Sequence, residues 1–216
     1  MKYLAALLLA AHTVSAHYIW TTLVTGDGTT STAAVRQPIN NSPVTDIETA
    51  DATCNVTPGD ATETVEVAAG DLVGFLLDNT LYHQGPAAIY LGQAPSTAAE
   101  WDGSGENWFK IAEWGATFDP FAFIDYQWSA HNTTIPSSVP DGEYLLRIEH
   151  IGLHVSGSPQ FYISCAQISI TGGGNASPEK VAIPGYITND DPSITVNIYN
   201  PVPTAYTVPG PAVFSG

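Results

Sequence analysis

Short segments in which apolar and polar residues alternate are the clearest pattern along the chain. They are rich in β-branched and aromatic residues, a composition typical of strands that turn one face towards a core. The segments that qualify are 18–24, 64–67, 72–77, 88–91, 143–151 and 160–170. No segment combines helical periodicity with good helix caps, so the pattern predicts an almost purely β protein.

Turn residues separate these predicted strands. Residues 69–71, Ala-Gly-Asp, stand between two apolar runs, and residues 140–142, Pro-Asp-Gly, precede the segment 143–151. Both sequences are typical of hairpins or other tight turns. Because 16 Pro and 19 Gly are spread among short strands, we predict an all-β fold, an antiparallel β-sandwich with long loops.

Regular patterns fade after residue 171, where Gly, Pro, Asn and Asp become frequent. A disordered linker would explain this composition. However, Tyr186, Tyr199 and Tyr206, together with several aliphatic residues, exceed what an unfolded tail usually carries. We therefore predict that residues 172–216 form an ordered segment that wraps over the sandwich.

The first 16 residues have the layout of a secretory signal. Lys2 precedes an apolar run over residues 3–11, and the segment ends in small residues at Ala16. Cleavage there would make His17 the N-terminus and leave residues 17–216, a length that suits one all-β domain. No stretch approaches the roughly 20 apolar residues of a membrane helix, so we expect a secreted, extracellular protein with no membrane partner.

The chain is strongly acidic, with five basic residues against 21 acidic ones and a formal net charge of −16. Such a surface repels nucleic acid and anionic membranes, so neither is expected as a partner. The acidity does not identify a ligand, because it would serve solubility equally well.

Two further features suit an oxidising, extracellular compartment. Cys54 and Cys165 are the only cysteines, so a single intrachain disulfide is available and the compartment favours it. N-glycosylation sequons occur at Asn40, Asn55, Asn132 and Asn175. Sequons also arise by chance, and the sequence does not select among them.

Histidine carries the candidate chemistry. After cleavage the chain would keep His17, His83, His131, His150 and His154. A terminal His17 offers two nitrogens, the ring Nδ1 and an α-amine that loses its proton near neutral pH, at a pKa of roughly 7.7–8.0. One more imidazole would complete a planar set of three nitrogens, which suits Cu(II) better than zinc. His83 is the best partner, because Gly85 and Pro86 fix its loop between two strands.

Plainer alternatives stay open, since His17 could be an accident of cleavage and His83 a solvated loop residue. A second group, His154, Gln160 and Tyr162, lies where one predicted strand ends and the next begins. Gln160 and Tyr162 are two residues apart, so on a strand they share a face. In one interpretation Tyr162 approaches a metal on its axial side, and Gln160 and His154 hydrogen-bond to an oxygen species bound there. In the other, Tyr162 is a core residue and the other two are polar neighbours at the rim.

Several short motifs resemble one known family in their order and extent. They are His17 at the new terminus, residues 43–46 before Cys54, the 69–71 turn, His83 with Gly85-Pro86, and segments 108–111, 142–149, 153–154, 160–165, 183–186, 197–199 and 209–214. Together they span the mature chain and resemble the fungal lytic polysaccharide monooxygenases of auxiliary-activity family nine, once classed as glycoside hydrolases.

The resemblance implies an immunoglobulin- or fibronectin-like β-sandwich that binds one copper per chain. His17 and His83 would form a copper-binding "histidine brace", with Tyr162 in the axial position. His154 and Gln160 would hydrogen-bond to the oxygen co-substrate.

The resemblance also implies roles for residues away from the metal. Cys54 and Cys165 would form the disulfide of the family. Tyr199 and Tyr186 would lie on a flat face around the copper and stack on sugar rings. His150 is expected to have a surface or strand role rather than to bind metal, and His131 has no assigned role.

The activity implied is that of a secreted monomeric enzyme that cleaves β-1,4-glucans such as cellulose at C1 or C4. It would use an extracellular electron donor and either hydrogen peroxide or dioxygen. The segment 155–159 is short and contains no basic residue, which disfavours arginine contacts to soluble oligosaccharides.

Other functions also fit the residues. A copper-binding protein without oxidase activity would use His17 and His83 for capture, although capture has no need of His154, Gln160 or Tyr162. A non-catalytic carbohydrate-binding protein would bind glycan through aromatic residues, and a chelator would not affect it. A hydrolase would need two carboxylates across the glycosidic bond, and no acidic pair has a spacing that can be placed there.

Overall fold

The computed structural model describes residues 17–56 and 59–216, so the expected signal segment, residues 1–16, lies outside the described residues. The strands of this part of the chain are β1 (Trp20–Thr25), β2 (Thr30–Ser31), β3 (Val35–Arg36), β4 (Val65–Ala68), β5 (Leu72–Leu77), β6 (Ala87–Gln93), β7 (Glu106–Trp114), β8 (Ala116–Phe118), β9 (Phe121–Phe123), β10 (Ala130–Thr134), β11 (Gly142–Gly152), β12 (Gln160–Thr171) and β13 (Val181–Ala182). The helices are short, α1 (Asp51–Cys54) and α2 (Pro192–Thr195).

Most strands belong to two sheets. One has the order β10-β5-β1-β2, and the other has the order β13-β7-β6-β11-β12-β3, with β4 also paired to β12. Pairing between these strands is antiparallel, except that β4 runs parallel to β12. The hairpin of β8 and β9 forms a separate two-stranded sheet.

One core joins the two sheets. Leu23 and Phe75 of the first sheet pack in the same fully buried cluster as Ile89, Leu146 and Ile168 of the second. Burying each such side chain contributes about 1.5–3 kcal/mol. The prediction of an all-β sandwich is confirmed.

All of the predicted strands form, with ends displaced by no more than two residues. Of the two alternatives predicted for residues 69–71, a hairpin or another tight turn, the structure has the second. Gly70 does make a tight turn, with φ +96°, and the Asp71 N–H donates to the Ala68 carbonyl at 3.1 Å. The turn joins β4 to β5, which lie in different sheets, so it carries the chain across the core.

The tail is ordered over the larger sheet, as predicted. Its strand β13 pairs with β7. Further along, the Phe214 N–H donates to the Lys110 carbonyl at 2.8 Å. The ammonium of Lys110 is fully buried, and it donates to the Pro209 carbonyl at 2.8 Å and to the Glu113 carboxylate at 2.7 Å. Within the described ranges, no helix is long and apolar enough to cross a membrane.

The hairpin of β11 and β12 positions the candidate site. Its register pairs His150 with Tyr162 and Gly152 with Gln160. On its other side β11 pairs with β6, which begins just after the loop that carries His83. Residues 17–19 lead into β1 of the opposite sheet. The open end of the sandwich therefore gathers residues that are distant in the sequence.

Candidate metal and substrate site

The predicted pair of histidines lies together at this end of the sandwich. The ring centroids of His17 and His83 are 6.1 Å apart. Tyr162, on β12, lies beside both, with ring centroids 6.0 Å from His17 and 5.7 Å from His83. Both histidines are partly exposed, whereas Tyr162 is buried. The arrangement leaves a surface site with a phenol at its base.

Backbone hydrogen bonds fix the loop that carries His83 against the end of β11. The Leu153 N–H donates to the Gln84 carbonyl at 2.8 Å, and the Ile151 N–H donates to the Pro86 carbonyl at 2.9 Å. Gly85 is needed between them, because a Cβ there would lie 1.7 Å from the Ile151 carbonyl oxygen. This contact is the physical reason for a glycine at position 85.

His154 lies directly on His83. The two rings are stacked, with centroids 3.7 Å apart and planes inclined by 10°. Its Nδ1 is buried and has no hydrogen-bond partner among the described residues. Burial, and then the charge of His17, lowers the pKa of His154 below its usual value. A neutral imidazole therefore stands beside the pair of histidines at neutral pH.

Gln160 and Tyr162 share a face of β12, as their spacing predicts. The Tyr162 hydroxyl donates to Gln160 Oε1 at 2.8 Å. Burial raises the pKa of Tyr162 above its usual value, so the phenol stays protonated. The hydrogen bond uses the amide oxygen of Gln160 and leaves its amide nitrogen as the group that can donate elsewhere.

The two tyrosines expected on a flat substrate face differ. Tyr199 is 57% exposed, and its hydroxyl donates to the His154 carbonyl at 3.3 Å, which holds it beside the site. Tyr186 does not fit that expectation. Its hydroxyl donates inward to the Glu149 carboxylate at 2.6 Å, and its ring lies 5.6 Å from the Arg147 guanidinium. A buried ion pair therefore holds Tyr186, so we do not retain it as a sugar-stacking residue.

The remaining histidines have partners inside the protein. His150 is fully buried in β11, and its Nδ1 shares a hydrogen bond of 2.7 Å with the hydroxyl of Tyr18. His131 is fully buried in β10, with Nε2 3.1 Å from the Asp125 carboxylate. Three tryptophan rings pack around His131: Trp20, Trp114 and Trp128.

Tyr18 is a residue of the site that the sequence pattern did not single out. Its ring lies 4.3 Å from that of Tyr162 and 5.8 Å from that of His83. Its hydrogen-bond partner, His150, is 132 residues away in the sequence. No local pattern links residues so far apart, and the sole available signal is the position of Tyr18 directly after His17.

Cys54 and Cys165 form a disulfide, which confirms the predicted pairing. The sequons differ in accessibility: Asn40, Asn132 and Asn175 are exposed, whereas Asn55 is buried. The Asn55 side-chain amide donates to the Ile163 carbonyl at 2.9 Å. Three of the acceptors are therefore open to modification in the folded protein.

The donor set would fit a copper ion if cleavage after Ala16 gave His17 a free α-amine. Among the described residues, no three His, Cys, Asp or Glu side chains gather into a metal-binding group. A brace needs two imidazoles and one main-chain amine, and the His17 and His83 rings lie 6.1 Å apart beside Tyr162. Nitrogen ligands of this kind suit Cu(II).

Two histidine rings beside a buried tyrosine, at one end of a β-sandwich, form the candidate site, and comparisons identify the family. The family model "Auxiliary Activity family 9 (formerly GH61)" matches residues 17–206. The chain therefore belongs to Auxiliary Activity family 9.

Curated and solved proteins agree with this family. The chain is 49% identical to the AA9 family lytic polysaccharide monooxygenase E of Podospora anserina, over 98% of this chain and 73% of that protein. It is 46% identical to monooxygenase H of Malbranchea cinnamomea, over 100% of both chains. A cellulose-active polysaccharide monooxygenase from M. thermophila has a similar crystal structure, with a TM-score of 0.82, 30% identity and coverage of 93% of this chain and 100% of that one.

Proposed function

We propose that the chain, once cleaved after Ala16, is a secreted, copper-dependent lytic polysaccharide monooxygenase that cleaves β-1,4-glucans such as cellulose at C1, C4 or both. The family and the names of the relatives support oxidative attack on polysaccharide in general. The cellulose-active structural relative supports the choice of substrate. The observation that carries the proposal is the approach of the His17 and His83 rings to 6.1 Å beside Tyr162.

In this proposal His17 and His83 hold the copper through ring nitrogens, and the α-amine released by cleavage completes the brace. Copper bound there would supply one-electron chemistry towards hydrogen peroxide or dioxygen, which needs an external electron donor and which no side chain performs alone. Tyr162 covers one side of the site. Its hydroxyl is engaged by Gln160 at 2.8 Å and its phenol is neutral, so it adds no negative charge there.

His154 and Gln160 would orient the oxygen co-substrate in the same site. The stack on His83 fixes the plane of the His154 ring. The hydrogen bond from Tyr162 fixes the direction of the Gln160 amide. Two polar side chains are thus held in defined positions beside the proposed metal ligands, and a protein that merely captures copper does not need them.

The substrate would lie across the exposed end of the sandwich. Tyr199 is exposed and tied to the His154 carbonyl, so its ring is available to stack on a sugar close to the proposed metal. A neutral glucan suits a chain with a formal net charge of −16, because it is not repelled as an anionic polymer would be.

Product analysis on cellulose tests this function. Protein that begins at His17 is loaded with copper or treated with a chelator, supplied with ascorbate and cellulose, and its products are examined by mass spectrometry. We expect oxidised oligosaccharides from the copper-loaded protein alone, and their masses and fragmentation identify the oxidised carbon. His17→Ala should abolish them. Protein with one extra alanine before His17 is the matched control, because it keeps every side chain and removes only the terminal amine from the brace.

Each rival function predicts a different outcome. Tight copper binding without oxidised products from cellulose or other glucans would favour the copper-capture function. Cellulose binding that survives the chelator, without copper binding at His17, would favour a carbohydrate-binding protein. Products with unmodified reducing and non-reducing ends would indicate hydrolysis.

A further inference from the structure

We propose that Tyr18 and His150 form a buried positioning pair that holds His17 and the His83 loop in register with each other. The inference rests on the proposed function of these two histidines, and it assigns Tyr18 and His150 a task in the site without making them ligands. The observation behind it is the hydrogen bond of 2.7 Å between the Tyr18 hydroxyl and His150 Nδ1.

Tyr18 is fixed on several sides. It follows His17 directly, and only 1% of its surface is exposed. Its ring packs on Tyr162 at 4.3 Å, lies 5.8 Å from His83, and meets Trp20 edge-on at 5.9 Å. Because a single peptide bond joins Tyr18 to His17, fixing this ring restricts where the backbone of His17 can lie.

His150 belongs to the strand whose end also binds the loop that carries His83. It lies in β11, directly before Ile151, whose N–H donates to the Pro86 carbonyl. Two residues further on, the Leu153 N–H donates to the Gln84 carbonyl. The end of β11 therefore binds the His83 loop through its backbone and binds Tyr18 through the side chain of His150. One short segment sets both positions.

A purely structural role would not require this chemistry. An apolar side chain at position 150 would fill the core without the cost of burying an imidazole. Burial, followed by the charges of His131 and His83, lowers the pKa of His150 well below its usual value, and burial raises the pKa of Tyr18. Both groups are thus neutral, and the bond between them is a directional contact of fixed length.

The test compares two conservative substitutions. Tyr18→Phe removes the hydroxyl that reaches His150. Tyr144→Phe is the matched control, because Tyr144 is also a fully buried core tyrosine whose hydroxyl makes one hydrogen bond, to the Pro140 carbonyl at 2.9 Å at the other end of β11. Each loss of a hydroxyl should reduce the free energy of unfolding to a similar degree. A difference between the two variants in copper binding therefore reports on the site and not on stability.

Copper binding and electron paramagnetic resonance provide the readouts. We expect Tyr18→Phe to weaken Cu(II) affinity by about tenfold and to change the copper hyperfine splitting. His150→Gln, which offers a shorter polar group, should show the same direction of change. Tyr144→Phe should match the wild type in both measurements. Equal affinity and identical spectra for Tyr18→Phe and Tyr144→Phe would overturn the proposal.

Failure of the proposed function would look different. If the wild type binds copper no better than His17→Ala, the brace is wrong, whatever the variants do. The proposal of a positioning pair is then tested in the metal-free protein, through the NMR chemical shifts of the His17 and His83 ring protons. Tyr18→Phe should move these shifts and Tyr144→Phe should not. Unchanged shifts in Tyr18→Phe would refute the pair independently of copper.

Discussion

The ring of His154 lies on the ring of His83, with centroids 3.7 Å apart and an angle of 10° between their planes. The contact links a proposed copper ligand to the residue proposed to handle the oxygen co-substrate. Gly152 makes the approach possible, because a Cβ there would lie 3.1 Å from His154 Nδ1 and 3.3 Å from the Cβ of His83. His154 therefore supplies both a ring that packs on His83 and ring nitrogens that could hydrogen-bond. Substitutions can separate these two roles.

Replacing His154 by Phe keeps a ring that can stack on His83 but removes both nitrogens. We expect His154→Phe to lower the formation of oxidised products by about 10–100-fold while the melting temperature and copper affinity stay near those of the wild type. His154→Ala should lose the stack as well, so its copper affinity should also fall. Product assays with copper titrations measure both effects. Full activity in His154→Phe would show that only the ring matters.

The bond between Tyr162 and Gln160 leads to a second prediction. Tyr162→Phe removes the hydroxyl that donates to Gln160 Oε1 at 2.8 Å, so the Gln160 side chain loses its fixed direction. We expect product formation to fall by about tenfold, as for the loss of other groups that orient a metal site. Gln160→Ala should cause a loss at least as large. Additive losses in the double variant, measured as a mutant cycle, would contradict a shared role.

The sequence predicted those parts of the fold in which the side-chain pattern is local. The strands β1, β5, β11 and β12 alternate or bury apolar residues over several positions, and such patterns identify strands reliably. β7 and β10 were missed for physical reasons. Lys110 interrupts the apolar pattern of β7, and the sequence does not show that its ammonium is buried against the tail. β10 is a short polar strand at the edge of its sheet, so it lacks an apolar pattern.

The site was predictable in part, because its chemistry depends on residue type and spacing. His17 was indicated by the expected cleavage, and Gln160 and Tyr162 by their two-residue spacing on a strand. Tyr18 and Tyr186 could not be predicted, because their roles depend on partners that folding brings together. A tyrosine in a polar, proline-rich tail looks like a surface residue until the buried Glu149 it contacts is known.

Tyr199 and Tyr186 both lie in the tail, but the first is exposed beside the site and the second contacts the buried Glu149. Substitutions at the two positions should therefore have different effects. Tyr199→Ala should weaken cellulose binding by about 1 kcal/mol, roughly fivefold in Kd, because an exposed ring beside the site is lost. Tyr186→Phe should leave binding unchanged and lower stability by about 1–3 kcal/mol, because the buried Glu149 carboxylate loses a donor. Pull-down isotherms and urea unfolding measure the two effects. Weakened binding in Tyr186→Phe at full stability would restore Tyr186 to the substrate face.

Glycosylation provides a fourth prediction. Asn55 is 8% exposed, and its amide nitrogen, the atom that a glycan would occupy, donates to the Ile163 carbonyl. We expect peptide mapping of protein secreted from a fungal host to find Asn55 unmodified, with any glycan on Asn40, Asn132 or Asn175. Asn55→Gln should destabilise the protein, whereas Asn175→Gln should not, because Asn175 is exposed. A glycan on Asn55 in correctly folded protein would contradict this assignment.

The disulfide supports the last prediction, since it closes a loop between residues 111 apart in the sequence. A cross-link of that span restricts the unfolded chain and stabilises the fold by about 4–5 kcal/mol in the chain-entropy model. We expect the double variant Cys54→Ala/Cys165→Ala to fold and to lose a free energy of unfolding of that order in urea titrations.

Folding should survive because the bridge is not the only attachment of α1. The fully buried Arg147 donates to the Thr53 carbonyl at 2.9 Å and to the Ala52 carbonyl at 2.8 Å, which holds the helix against β11 without the disulfide. Arg147→Met in the variant that lacks both cysteines should therefore cost far more than the double substitution alone. A loss below about 1 kcal/mol on removing the bridge would show that the unfolded chain is already compact around these residues.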